Sequence, residues 1–359
     1  MSTMQKAIVV TNQLTQPDGK VILEDRPIPE PGPGDVLVEV HAAALNPMDW
    51  MMAELGLFVT KWPVDLGADA AGIVKKLGEG VTNFDVGDRV MLAGTFSGPT
   101  MITTFKQYLA MPAAFVAKVP SNLSLEEAAT IPLTMATAGM GLYDKKQKPM
   151  GGLGLTPPWV EGGRGKYAGE PIIIMSGASG VGQQAIQFAK MSGFSPIITT
   201  ASLSNEAYLK TLGATHVLSR TLPPAELDAA VRGITEQPVR HGYDAFGLAE
   251  TQNVLYDLVA PGGDLVVSRN IYVTEARLRS GGKYVARVFA DVQCPPQQEV
   301  GRSLYAHLTE MLAAGDIKPN RFEVLPDGLA SVPEGMQKLK AGLSGLKLIV
   351  RPQETPGSA

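Results

Sequence analysis

Residues Ile172 to Lys190 read IIIMSGASGVGQQAIQFAK: four apolar residues, a turn of small residues, then a helix-like stretch. The turn nearly spells G-x-G-x-x-G, with Gly177, Ser179 and Gly182 at the three fingerprint positions. In a doubly wound α/β sheet the first strand-to-helix turn holds a pyrophosphate. Main-chain N–H groups at the helix N-terminus point at the anion, and the helix dipole favours its charge. Gly177, Ala178, Ser179, Gly180, Val181 and Gly182 make up the turn, and the Ser179 hydroxyl can add a donor. A serine in such a turn can also serve as a hydrolase nucleophile, but that arrangement needs glycine two residues later. Val181 stands there, and its branched side chain would crowd the elbow. A strand before the turn and a helix after it favour the nucleotide reading.

Downstream, the alternation continues. Strand SPIITTA leads to helix NEAYLKTLG, strand THVLS to helix PAELDAAVRGI, and strand YDAFG to helix TQNVLYDLVA before strand GDLVVS. Repeated βα units with apolar runs such as IIIM predict a parallel sheet buried on both faces. Gly193, Gly213 and Gly315 follow helices, as C-terminal stops do. An acidic residue about twenty positions after the glycines would bind the ribose of NADH. The strand here ends ITTAS, with no Asp or Glu. Thr200, Ser202 and Asn205 can donate hydrogen bonds, Arg220 can supply charge, and Lys210 is a further cation. This pattern predicts NADPH rather than NADH. Ser268, ending GDLVVS, and Lys347, in GLKLIV, complete the cofactor-binding candidates.

Upstream, the texture differs. KAIVV, VILEDRPIP, DVLVEVHAAAL, AAGIVKKLG, DRVMLA and KQYLAMP read as short strands separated by Gly- and Pro-rich turns, a β-rich and barrel-like domain. Near Ser124 the pattern turns helical, with Ser124 and Glu127 at capping-box spacing and Pro132 set to bend or interrupt the helix. The Gly- and Pro-rich stretch from Gln147 to Pro171 reads as a surface connection. LYAHLTEMLAAGDI and VPEGMQKLKAG are helices, and LKLIVRP is a closing strand.

The chain has 359 residues and a formal net charge of −4, with no long run of one sign, so nucleic acid and anionic membranes are not expected partners. One cysteine, Cys294, rules out an internal disulfide and a cysteine-rich zinc site. No segment reads as a signal peptide or membrane span, and a cytoplasmic location is expected.

GDVLVEVHAAALNPMDW, LGADAAGIV, VGDRV, AATIPLTMATAG, SGASGVGQQAIQFAK and YDAFG…PGGDLVV, in this order, resemble the medium-chain dehydrogenase/reductase superfamily. EGGRGKYAGEP, IITTASLSN and GLKLIVRPQE narrow the likeness to the zinc-free quinone- and enoyl-reductase branch, including fungal trans-acting polyketide enoyl reductases. The resemblance implies a GroES-like catalytic domain over 1–130, completed by 296–359, and a Rossmann NADPH-binding domain over 131–295, with the active site between them. Zinc alcohol dehydrogenases of the superfamily carry Cys in the segment matching ALNPMDW and a His-Glu pair in the segment matching LGADAAG. This chain has Asn46, and Ala68 with Asp69. Its histidines, His41, His216, His241 and His307, form no ligand-spaced pair, so no metal is expected.

The same likeness places Asn46 and Asp49 beside nicotinamide and substrate, and Thr137 near the nicotinamide. Asn46 before Pro47 equally fits a turn former, and Asp49 fits a structural hydrogen bond better than a catalytic role. Similar fungal reductases carry a lysine where this chain has Met51, and no tyrosine stands in MAELGLFVTKWP; Lys61 is nearby, and water or the ribose hydroxyls are the other sources of the proton. The implied activity is NADPH-dependent hydride transfer to an enone, enal, enoyl thioester or quinone. A non-catalytic NADPH-binding protein and a reductase active only with a polyketide synthase are the alternatives. KYVARVFA is an apolar strand that pairs either internally or between subunits, leaving monomer and homodimer both open.

Overall fold

The computed structural model describes residues 3–96, 101–147 and 150–357. The chain divides into two compact units. The described residues of Met1–Leu133, Asp291–Ala313 and Pro319–Ala359 form the first, and Thr134–Ala290 with Ala314–Lys318 form the second.

The first unit begins with β1 (Met4–Val10), β2 (Val21–Pro27) and β3 (Asp35–Ala44), followed by α1 (Pro47–Leu55). The strands β4 (Val64–Asp65), β5 (Asp69–Leu77), β6 (Arg89–Ala93), β7 (Tyr108–Pro112) and β8 (Val116–Lys118) come next. Strands β2, β1 and β4 make a small sheet, and the rest join a larger antiparallel one around β3. β3 is rich in Val and Ala, and most of it is buried. It pairs with β5 on one side and, over its first half, with β7 on the other. Helix α1 is not among the elements read from the sequence, where Pro47 and the short apolar run masked it. Pro47 takes the first helical turn, where its missing N–H costs nothing, and Gly56 ends the helix at φ 69°.

The expected helix after Ser124 is two helices. In α2 (Leu125–Ala129) the Ser124 hydroxyl accepts from the Glu127 N–H at 3.0 Å while the Glu127 carboxylate accepts from the Ser124 N–H at 2.8 Å. Pro132 then opens α3 (Pro132–Tyr143), so the proline divides the pattern at a place where it can start a helix.

The second unit carries β9 (Ile172–Met175), α4 (Gly180–Met191), β10 (Ile197–Ala201), α5 (Glu206–Leu212), β11 (His216–Ser219) and α6 (Pro224–Ile234). Then follow β12 (His241–Asp244), α7 (Ala249–Leu258), β13 (Asp264–Val267), α8 (Glu275–Ser280) and β14 (Tyr284–Arg287). All six strands are parallel, in the order β11-β10-β9-β12-β13-β14. The chain starts in the middle at β9, runs outward to β11, then returns to β12. Strand order reverses between β9 and β12, and ligands of such sheets bind at the strand ends beside that reversal. β9 is buried along its whole length, as the run IIIM requires. β12 starts two residues before the expected YDAFG, and β14, from KYVARVFA, pairs internally with β13.

The chain then returns to the first unit through α9 (Gln298–Ala313), β15 (Phe322–Val324), α10 (Val332–Ala341) and β16 (Lys347–Val350). β16 joins the large sheet antiparallel to the end of β3, with Val350 opposite Ala43. Among the described residues no helix is long and apolar enough to cross a membrane.

Two glycine substitutions test this packing. A Cβ on Gly177 would lie 2.1 Å from Thr199 Oγ1 in β10, so Gly177→Ala should lower stability by about 1–3 kcal/mol. Gly233, on α6, faces open space, and Gly233→Ala should raise stability by about 0.5–1 kcal/mol. Urea denaturation checks both signs, and equal effects would contradict the described turn.

Candidate functional site

The turn after β9 is held from two sides. The Ser176 N–H donates to Thr200 Oγ1 at 3.0 Å, and the Gly177 N–H to the Thr200 carbonyl at 2.9 Å. Ser176 itself adopts φ 61°, a left-handed conformation in a non-glycine residue, which the surrounding bonds must sustain. Ser179 is the N-cap of α4, and its Oγ accepts from the Gly182 N–H at 3.1 Å. Its φ of −66° is unstrained, unlike a nucleophile elbow. A Cβ on Gly182 would lie 2.4 Å from the Ser176 carbonyl, so helix and turn meet more closely than any side chain permits. The Gln183 side chain donates to the Ala178 carbonyl at 2.9 Å and accepts from Tyr208 Oη at 2.9 Å, closing the turn from the α5 side. The result is a rigid cradle of small residues opening on the N-terminus of a 12-residue helix.

The residues expected at the ribose divide. Thr200 is buried and spends its hydroxyl inside the turn, so it supports the cradle instead of facing a ligand. Asn205 is also buried. Lys210 is tied to Glu206 at 2.7 Å. Ser202 and Arg220 remain at the strand edge. The Arg220 N–H donates to the Ala201 carbonyl at 2.9 Å, which sets an exposed arginine beside Ser202, and the Ser202 and Ser204 hydroxyls lie 2.9 Å apart. At the end of β13 Ser268 donates its hydroxyl to the Asp244 carbonyl at 2.9 Å. Thr137 lies on the second unit's part of α3, where its carbonyl accepts from Tyr243 Oη at 2.8 Å.

In the first unit three polar side chains meet in a closed ring. The Lys347 ammonium donates to Asp69 Oδ2 at 2.7 Å and to Asn46 Oδ1 at 3.0 Å. Asn46 Nδ2 donates to Asp69 Oδ2 at 2.9 Å and to the Ala44 carbonyl at 3.2 Å. Asp69 Oδ1 accepts the Leu133 N–H at 2.6 Å, so the carboxylate also faces the N-terminus of α3, where an anion is favoured. Asp69 is 0% exposed, Asn46 3% and the Lys347 side chain 7%. Each charge is compensated, which is what permits burial at this depth.

Asp49 sits beside this ring without joining it. Its carboxylate accepts from the Asn46 N–H at 2.7 Å and the Gly67 N–H at 3.2 Å. Burial pushes its pKa up to about 7; the two N–H bonds and Lys347 oppose the rise, and the neighbouring Asp69 charge adds to it.

Asn46 and Asp49 are thus brought together, with Asp69 and Lys347. Lys61 is exposed and outside the cluster. Lys347, grouped by sequence with the nucleotide residues, belongs to the first unit and to the Asn46–Asp69 ring. Sequence reading met Asp69 only as a missing zinc ligand. The signal for the ring was a lysine at the head of the apolar strand KLIV, because buried lysines need partners. Zinc does not fit these residues. The available donors are one amide and two carboxylates, with no thiol or imidazole among them: Asn46 and Asp69 are bonded to an ammonium, and Asp49 is held by two main-chain N–H groups. Among the described residues no group of three or more His, Cys, Asp or Glu is placed to hold a metal.

Residues 32–121 match the alcohol dehydrogenase GroES-like domain, and residues 180–275 match the family described as zinc-binding dehydrogenase. A trans-enoyl reductase of a Penicillium species is 30% identical over 353 residues, which span 93% of this chain and 95% of that protein. A dehydrogenase of Aspergillus niger is 32% identical over 347 residues, 92% of this chain and 95% of the relative. Among solved structures, a quinone oxidoreductase of Pseudomonas syringae pv. tomato superposes with a TM-score of 0.75 at 26% identity. That match covers 96% of this chain and 99% of the other.

The buried Asp49 makes stability depend on pH. An acid whose folded pKa lies above its unfolded value of about 4 binds its proton more tightly when folded. Its contribution is fully present below about pH 4 and is lost as pH rises toward its folded pKa of about 7. Asp49→Asn removes that slope. Its stability relative to the native chain should rise steadily between about pH 4 and 7, measured by urea denaturation. A pH-independent difference would contradict the assignment.

Proposed function

This chain belongs to the medium-chain dehydrogenase/reductase superfamily, and from that premise we propose that it reduces an activated C=C bond or a quinone with NADPH and without zinc. The observation that carries the reading is the Ser176–Gly182 cradle at the head of α4, with an exposed arginine beside the end of the next strand. The cradle presents main-chain N–H groups and a helix dipole to a pyrophosphate. Ser179 accepts from Gly182, which leaves its own O–H proton to donate to a phosphate oxygen. Arg220 and Ser202 would hold the 2′-phosphate, since a guanidinium at that edge recognises a phosphate and no carboxylate of β10 repels it.

NADPH supplies the hydride when bound, and the protein's task is to orient its acceptor, exclude water and manage charge on the carbonyl side. Asn46 contributes rigidity: both of its amide protons are already spent, on Asp69 and on Ala44. Zinc independence rests on the same ring, whose donors are taken by Lys347. The GroES-like part of the chain is read as catalytic and the six-stranded part as nucleotide-binding. The name trans-enoyl reductase, borne by the Penicillium relative, favours enoyl thioesters among the acceptors, and with them a synthase that delivers the chain.

A kinetic comparison checks the cofactor assignment. With an enal or enone acceptor, kcat/KM should be at least about tenfold higher with NADPH than with NADH, because a charge-assisted hydrogen bond contributes about 1.5–3 kcal/mol. Arg220→Ala should lower NADPH affinity by about 10- to 100-fold and leave NADH unchanged. Equal losses for both cofactors would contradict the role of Arg220.

A further inference from the structure

We propose that Lys347 is the proton donor of the site, its ammonium completing the reduction that its ring partners cannot. The inference rests on the alkene-reductase reading above and names the residue that reading lacks.

A count of protons leads to it. An asparagine amide has two N–H protons, and those of Asn46 go to Asp69 and to the Ala44 carbonyl. Asp69 only accepts, from Asn46, Lys347 and the Leu133 N–H. Asp49 is enclosed, with one carboxylate oxygen on the Asn46 N–H and the other on the Gly67 N–H. An ammonium has three donors, and Lys347 uses one on Asp69 and one on Asn46. Among the described residues its third N–H has no assigned acceptor. Of the ion pair, Lys347 alone keeps any exposure, 7% against 0% for Asp69. The ring is therefore closed everywhere except at one proton of one cation. The two bonds that hold the ammonium also fix its direction, as a positioned acid requires.

The chemistry balances. Hydride addition at the β-carbon sends the C=C electron pair onto the carbonyl oxygen, and the resulting enolate lies against a fixed positive charge. One Lys347 N–H bond then breaks, its proton forms the new C–H bond at the α-carbon, and the electron pair returns to nitrogen as a neutral amine. Water restores the ammonium. In sum the alkene gains one hydride and one proton, and the cofactor is oxidised by two electrons.

The test compares two acceptors and one isotope. Lys347→Arg keeps the charge but holds its protons too tightly to give one up. Lys347→Met combined with Asp69→Asn removes both charges, so no buried carboxylate is stranded. Each variant is assayed with NADPH on a 2-methyl enal and on a benzoquinone, whose product protons sit on exchangeable oxygens. We expect the enal rate to fall by about 100-fold or more and the quinone rate by less than about tenfold, since general acids contribute about 10²–10⁴-fold. In deuterium oxide the native protein should place deuterium on one face of the α-carbon and the variants on both faces. A variant that keeps the native enal-to-quinone ratio and single-face deuteration would overturn the assignment. If the native chain oxidises NADPH with neither acceptor, the reductase reading fails, an outcome separate from the role of Lys347.

Discussion

A buried salt bridge is the constraint on which the first unit depends. Lys347 and Asp69 are both buried, and neither could stay there alone, since an uncompensated buried charge costs about 3–5 kcal/mol. Their pairing fixes the start of β16 against the start of β5. Asn46 bridges both and ties in the end of β3 and the entry to α1. The Leu133 N–H then fastens the N-terminus of α3 to the same carboxylate. Three segments of the chain thus converge on one carboxyl group carried by a fourth. Asn46 Oδ1 and Asp69 Oδ2 face the ammonium, and Asp69 Oδ1 accepts the Leu133 N–H.

The second unit solves a different problem by local means. Its turn after β9 needs backbone close to backbone, and Gly177 and Gly182 supply it where any Cβ would collide. Thr200 on β10 then pins the turn with its hydroxyl and its carbonyl. The helix N-terminus carries the positive end of the helix dipole, with a capping serine that accepts one N–H and keeps a proton to give. The proposed nucleotide site is built from about six consecutive residues and one neighbouring strand.

That contrast explains what could be read in advance. The parallel sheet was legible because its signal is sequential: apolar run, small-residue turn, helix, repeated. The β-rich texture of the first unit was legible for the same reason, from short Val- and Ile-rich runs between Gly and Pro. Helix α1 was not, because Pro47 looks like a breaker until it is seen to occupy a first turn. The place of Thr200 was not legible because residue type carries no direction: β10 is buried throughout, and the Thr200 hydroxyl accepts from the Ser176 N–H. The ring was hidden because Lys347 lies 301 positions from Asn46 and 278 from Asp69. No spacing rule reaches that far. The one local hint was a lysine inside a strand whose four residues are all buried.

We propose that the Lys347 ammonium serves these residues in place of a metal, in a chain matching families named for alcohol dehydrogenases and zinc. Elemental analysis of the purified protein, coupled to an NADPH oxidation assay before and after exhaustive chelation, addresses it most directly. The expected result is no stoichiometric zinc and undiminished turnover after chelation. One zinc per chain, with turnover lost on its removal and regained on its return, would contradict it.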